Sequence, residues 1–133
     1  MRREARVAIN SPADIVTARQ KGRALAAEIG FDGSDLTLVA TAISEVARNI
    51  VDHAKNGDIL LAAISQGSRR GICITARDEG PGIPDVAMAM QYGYSTRRGL
   101  GVGLPGAKWL MDDFDVDSKV GKGTTVTMKK WLH

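Results

Sequence analysis

The main change of hydrophobic period along this chain comes at Asn56-Gly57, between two long helical segments and a second half rich in strands. Before that point apolar residues recur at helical spacing. After it they gather in short β-prone runs broken by turns. A chain patterned this way segregates its helices from its strands, which restricts it to a few layered architectures. On the helical side, Ile15, Ala18, Gly22, Leu25 and Ile29 mark one face of a helix. Ser11 stands at its N-cap, Pro12 lies in its first turn and Gly30 ends it. Asp32 to Ser34 reads as a turn. A longer amphipathic helix follows from Asp35 to about Lys55, with Leu36, Val39, Ala40, Ile43, Val46, Ala47, Ile50 and Val51 on its apolar face. Ahead of both, Arg3 to Ile9 alternates loosely, as a strand does.

Beyond the switch, Asp58 to Ser65 and Gly71 to Arg77 read as strands joined by a loop from Gln66 to Arg70. Asp78 to Pro84 is a Gly/Pro turn cluster, and Asp85 to Gln91 a short helix. Tyr92 to Leu100 is polar and Gly-bearing, a loop expected to move. Val102 to Asp113 reads as a helix with Pro105 in its first turn. Phe114 to Ser118 and Thr124 to Trp131 close a hairpin around Val120-Gly121-Lys122-Gly123. The expected fold class is α+β: a two-layer α/β sandwich whose mostly antiparallel, mixed sheet is covered on one face by helices. Residues 1–133 are expected to form a single domain, with no repeat and no linker.

Composition removes several function classes. Cys73 is the only cysteine, which excludes an internal disulfide and a multi-cysteine metal site; in the run Ile72-Cys73-Ile74 it reads as a packed thiol. His53 and His133 are too few for a zinc constellation. A net charge of +3, mixed in sign, argues against a nucleic-acid partner, which asks for a concentrated basic face. The first ten residues carry charges throughout, and no stretch reaches transmembrane length. The expectation is a cytoplasmic protein with no membrane partner.

Three segments carry chemistry. Glu45 and Asn49 project from one face of the long helix, one turn apart. A carboxylate there can take a proton or order a hydroxyl, and an amide oxygen beside it can ligate a hard cation such as Mg²⁺. Taken alone, such a pair is most often a solvated helix face. Asp78-Glu79-Gly80-Pro81-Gly82-Ile83 ends an apolar strand. Its aspartate can accept from an exocyclic amine, and its glycines allow close approach to a ligand. Gly99-Leu100-Gly101-Val102-Gly103-Leu104 opens a helix, where free amides and the helix dipole can hold phosphate. Gly101-x-Gly103-x-x-Gly106 also matches a dinucleotide fingerprint, but the strand and βαβ context this requires are missing. Gly121-Lys122-Gly123-Thr124 is no P-loop, and the eukaryotic-type kinase signatures are absent.

The ordered set is more specific than any member. Glu45-x-x-x-Asn49, Asp78-x-Gly80-x-Gly82, Gly99 to Leu104 and Gly121-Lys122-Gly123-Thr124 follow one another as in a Bergerat nucleotide site. From Leu36 to Met128 the chain resembles the GHKL superfamily of gyrase-type topoisomerases, the ninety-kilodalton chaperone, MutL, histidine kinases and small anti-sigma kinases. The resemblance implies ATP and Mg²⁺ as cofactors. Glu45 would be the base or polarising carboxylate and Asn49 the Mg²⁺ ligand. Asp78 would bind the adenine amine, with Gly80 and Gly82 in its turn, Gly82 close to the base, and Thr124 supporting that end. Gly99, Gly101, Val102, Gly103 and Leu104 would form the phosphate loop. Pro84 to Arg98 would be a lid, with Arg97 or Arg98 reaching the terminal phosphate.

The gyrase and chaperone ATPases couple this module to further domains, and histidine kinases to a phosphoacceptor helix pair, so the expectation is a free-standing member. The wording Ser44-Glu45-Val46-Ala47-Arg48-Asn49-Ile50, Leu104 to Asp112 and Asp14 to Gln20 is similar to the stressosome switch serine/threonine kinases of the anti-sigma factor kinase group. That implies phosphorylation of STAS-domain antagonist proteins, a STAS-domain scaffold, and activation of a PP2C-type phosphatase on release. The alternative is an anti-sigma factor that holds a sigma factor and phosphorylates an anti-anti-sigma protein.

Overall fold

Local signals set the first helical layer. Strand β1 (Glu4–Ile9) leads into α1 (Pro12–Ile29). At the entry to α1 the Asp14 carboxylate accepts the backbone N–H groups of Asn10 (2.8 Å) and Ser11 (3.1 Å), which fixes where the strand stops and the helix starts. Gly30 ends α1 at φ +128°. Helix α2 (Gly33–His53) follows after three residues, Gly30 to Asp32. Asp32 is its N-cap, so the expected Asp32–Ser34 turn is in fact the first turn of the helix. The remaining elements are β2 (Gly57–Gln66), β3 (Arg69–Asp78), α3 (Gly103–Leu110), β4 (Asp113–Lys119) and β5 (Gly123–Trp131). The computed structural model describes residues 3–82, 90 and 103–132. The expected helix Asp85–Gln91 and loop Tyr92–Leu100 lie outside these, apart from Met90.

The strands form one sheet in the order β1-β2-β3-β5-β4. Each of its four described pairings is antiparallel, so the sheet is more regular than the mixed one expected. Alternation sorts its two faces. Val7, Ile9, Ile59, Leu61, Ile72, Ile74, Ala76, Val126 and Met128 are buried on one side, against Ala18, Leu25, Ile29, Val39, Ile43, Val46 and Ile50 of the helices. The opposite face carries Arg6, Asp58, Cys73 and Arg77; Cys73 is half-buried and free. The architecture is thus the expected α+β two-layer sandwich.

Other boundaries also differ from the sequence reading. The β2–β3 loop is Gly67-Ser68 alone, and pairing extends to Gln66 opposite Arg69. Gly67 takes φ +61°, which a two-residue hairpin turn requires. Helix α3 stops at Leu110, where Val102 to Asp113 was expected. Its continuation is pre-empted by β5: the Asp112 N–H donates to the Lys129 carbonyl at 2.9 Å, and the Asp112 carboxylate accepts the Trp131 N–H at 2.8 Å. Asp113 is already in β4.

Candidate functional site

Small residues let α3 lie close against α2. Gly103, Leu104, Pro105, Gly106 and Ala107 are all buried, and α3 packs on α2. This contact encloses Glu45, which is only 6% exposed. Its Oε1 accepts the Gly103 N–H at 2.9 Å, across 58 residues of chain. Its Oε2 accepts an Nη1–H of Arg48 at 2.7 Å. A buried carboxylate without such donors would be costly, and both here are of the strong kind: a cationic guanidinium and a free amide at a helix start. Asn49, one turn on, is half-buried and lines the same small cavity, together with Asp52, His53 and Leu104. Sequence-derived Glu45, Asn49, Gly103 and Leu104 therefore meet in one place.

Asp78 is the last residue of β3, directly opposite both Gly57 of β2 and Thr124 of β5. Its Oδ1 accepts the Gly80 N–H at 2.9 Å, and among the described residues Oδ2 takes no donor. Thr124 is buried at 5% exposure, and its hydroxyl shares a 2.7 Å hydrogen bond with Ser118. Gly80 packs on the end of α2, where a Cβ would come within 2.5 Å of the Ala54 Cβ. Gly82, at φ +80°, sits against the β4–β5 turn, and a Cβ there would strike the Lys119 carbonyl at 2.3 Å. Protein backbone alone thus demands glycine at 82. Gly123, at φ +120°, brings β5 onto the Asp78 carbonyl, which a Cβ would meet at 2.1 Å.

Asp78 does not line the Glu45 cavity. It borders a separate hollow of about 460 Å³ that opens toward Arg6, Asp58, Arg77 and Thr125 on the outer sheet face. The two groups are connected by α2 itself. From Glu45 to Ala54, against which the Asp78 turn packs, is nine residues, or about 13 Å at the helical rise. That spacing suits an extended nucleoside triphosphate, with its base at Asp78 and its phosphates at Glu45. Arg97, Arg98, Gly99, Gly101 and Val102 lie outside the described residues, as do lid residues 84–89 and 91–98.

Among the described residues no group of three His, Cys, Asp or Glu side chains could hold a metal ion. Mg²⁺ is commonly held by one or two protein oxygens plus substrate phosphates, and the Asn49 amide oxygen is a donor of that kind. Sequence reasoning gave Arg48 and Gly123 no role of their own in the candidate site, although both fall within its motifs. Arg48 was legible as an acid–base pair at i, i+3 with Glu45. Gly123 was legible as the glycine of Gly121-Lys122-Gly123-Thr124.

Residues 9–130 match the family model described as a histidine kinase-like ATPase domain. The chain is 48% identical over 120 residues to the serine/threonine-protein kinase RsbT of Bacillus subtilis (strain 168), covering 90% of each chain. It is 36% identical over 118 residues to the anti-sigma F factor of Geobacillus stearothermophilus, covering 85% of this chain and 81% of that one. Against the anti-sigma F factor of Thermoanaerobacter sp. (strain X514) the identity is 35% over 121 residues, covering 86% and 83%.

Proposed function

The chain belongs to the histidine kinase-like ATPase domain family, and from that membership and the cleft beside α2 we propose the following reading of its chemistry. It is a protein serine/threonine kinase that takes ATP as phosphoryl donor. One observation carries the site assignment: a buried carboxylate, Glu45, meets the first amide of α3 with an amide side chain, Asn49, one turn away. Asp78 accepts the adenine amine through Oδ2 while Oδ1 holds the Gly80 turn, and Thr124 backs that end. The N-terminal amides of α3, at Gly103 and Leu104, would receive the phosphates, together with Gly99, Gly101 and Val102. Asn49 would hold Mg²⁺, and the ion would supply neutralisation of charge on the phosphates.

The chemical step is a displacement at the γ-phosphorus. The acceptor hydroxyl oxygen bonds to phosphorus as the bond to the β–γ bridging oxygen breaks. ADP leaves with the electron pair, and the hydroxyl proton passes to Glu45. Phosphoryl transfer has a loose transition state, so orienting the hydroxyl matters more than its deprotonation. Arg97 or Arg98 would serve the terminal phosphate.

The acceptors in this reading are STAS-domain antagonist proteins of a stressosome switch, with a STAS-domain scaffold restraining the kinase and a PP2C-type phosphatase as the partner it activates on release. The 48% identity to the kinase RsbT supports this choice. None of the described helices is long and apolar enough to cross a membrane, and we place the protein in the cytoplasm. The test incubates the protein with Mg·ATP labelled at the γ-phosphate and purified STAS-domain proteins of its own organism. Label on a serine or threonine of one of them supports the reading, and absence of label on all of them refutes it. The anti-sigma F relatives favour a second reading, in which the chain holds a sigma factor. Capture of a purified sigma factor, with no activation of the phosphatase, selects it.

A further inference from the structure

We infer that Arg48 is a positioning residue for the phosphoryl transfer: its guanidinium fixes the Glu45 carboxylate in the orientation that receives the acceptor hydroxyl. The inference rests on the kinase reading above and assigns a residue to that same site. Glu45 is held at both oxygens, by the Gly103 N–H at 2.9 Å and by Arg48 Nη1 at 2.7 Å. The first donor is the N-terminal amide of α3, where the proposed function puts the phosphates. Once phosphate sits there, it competes with Glu45 for the Gly103 N–H, and Arg48 becomes the contact that keeps the carboxylate in register. Arg48 sits at i+3 from Glu45 on the rigid middle of α2, and its side chain is 27% exposed, so it reaches the carboxylate from the rim of the cleft.

Charge gives a second reason. The carboxylate is buried beside the place where a polyphosphate would bind, and two anions in a water-poor cleft repel. A guanidinium is cationic at every working pH and offers several N–H donors in a fixed plane. Arg48 therefore offsets the Glu45 charge locally and still leaves donors for the rim. In the transfer step a bond forms from the acceptor oxygen to the γ-phosphorus, the bond to the bridging oxygen breaks, ADP departs and the proton moves to Glu45. Arg48 touches none of these atoms and acts through Glu45.

The test is a double-mutant cycle in single-turnover transfer from Mg·ATP to the STAS-domain protein that wild-type kinase labels. Arg48→Met is expected to slow transfer roughly 10- to 100-fold, as loss of a well-aligned group typically does. ATP affinity stays within about threefold, because the nucleotide contacts are made by other residues. Arg48→Lys, which keeps the charge and loses the fork, recovers part of the rate. In a Glu45→Gln background, Arg48→Met costs less than about a further threefold, since residues acting as a unit are not additive. Wild-type transfer by Arg48→Met overturns the inference. So does a loss that multiplies fully with that of Glu45→Gln, which would mean Arg48 acts on its own. A loss that tracks a fall in ATP affinity and is not relieved by Arg48→Lys belongs to folding and also overturns it. Failure of the kinase reading shows separately, as wild-type protein that transfers no label to any STAS-domain protein, and takes the assignment down with it.

Discussion

Replacing Asp78 with Asn changes one oxygen into an amine and little else. In the folded protein Oδ1 accepts the Gly80 N–H at 2.9 Å. Asparagine can keep that bond through its own Oδ1, so the turn is retained and Nδ2 takes the place of Oδ2. The amine then faces the adenine amine, donor against donor. Leaving such groups unsatisfied in a closed site costs about 1–3 kcal/mol. At about 1.4 kcal/mol per tenfold, ATP affinity should fall roughly 5- to 150-fold. Stability of the free protein should hardly change, with a melting temperature within about 2 °C of wild type. The same amine can donate to the carbonyl oxygen that guanine carries where adenine has its amine, so GTP should lose less affinity than ATP, or gain some. Calorimetry with both nucleotides, alongside melts without nucleotide, reads all three quantities. An unchanged ATP affinity removes Asp78 from the site. A large drop in melting temperature reassigns it to holding the Gly80 turn.

Two other substitutions test the phosphate end. Glu45→Gln should bind ATP normally and slow transfer by about 10²-fold, the low end for a positioned base; a wild-type rate with labelled ATP would leave Glu45 as only a polar residue in the cleft. Asn49→Ala should cost more than Glu45→Gln, because it removes the proposed Mg²⁺ ligand and with it charge neutralisation; a loss no larger than that of Glu45→Gln, or one independent of Mg²⁺ concentration, contradicts the ligand assignment. Gly123→Ala should destabilise by at least about 1–3 kcal/mol, from the left-handed backbone it must adopt. Its Cβ also meets the Asp78 carbonyl at 2.1 Å, so urea denaturation and ATP titration should both register the change.

The layers were legible because hydrophobic period is a local property that tertiary packing then uses. The α1 face of Ala18, Gly22, Leu25 and Ile29 is buried as its spacing requires, and so is most of the α2 face. Boundaries were less legible where polar residues continue an element. Gln66, Arg69 and Arg70 look like loop by hydropathy, yet they extend the β2–β3 ladder, because a pair of strand ends needs hydrogen bonds and a turn rather than apolar side chains. Met111 and Asp112 fit a helix by propensity, but β5 takes the Asp112 amide and carboxylate for itself, and no local signal around Leu110 announces that partner.

The site shows the same division at the scale of a single residue. That Glu45 and Asn49 share a helix face follows from their spacing. Whether that face is solvated or enclosed depends on what lies over it, and the covering residue, Gly103, is 58 positions away. A helix face reading Ala42, Glu45, Val46 and Asn49 is ambiguous in isolation, since the acid could turn outward from the apolar stripe. What removes the ambiguity is the run Gly103-Leu104-Pro105-Gly106-Ala107, whose small side chains allow α3 to sit on α2, and the Arg48 guanidinium, which makes enclosure of the carboxylate tolerable. The pair of Glu45 and Asn49 marks a candidate; the small-residue start of a distant helix, together with the cation three residues along, turns it into a site.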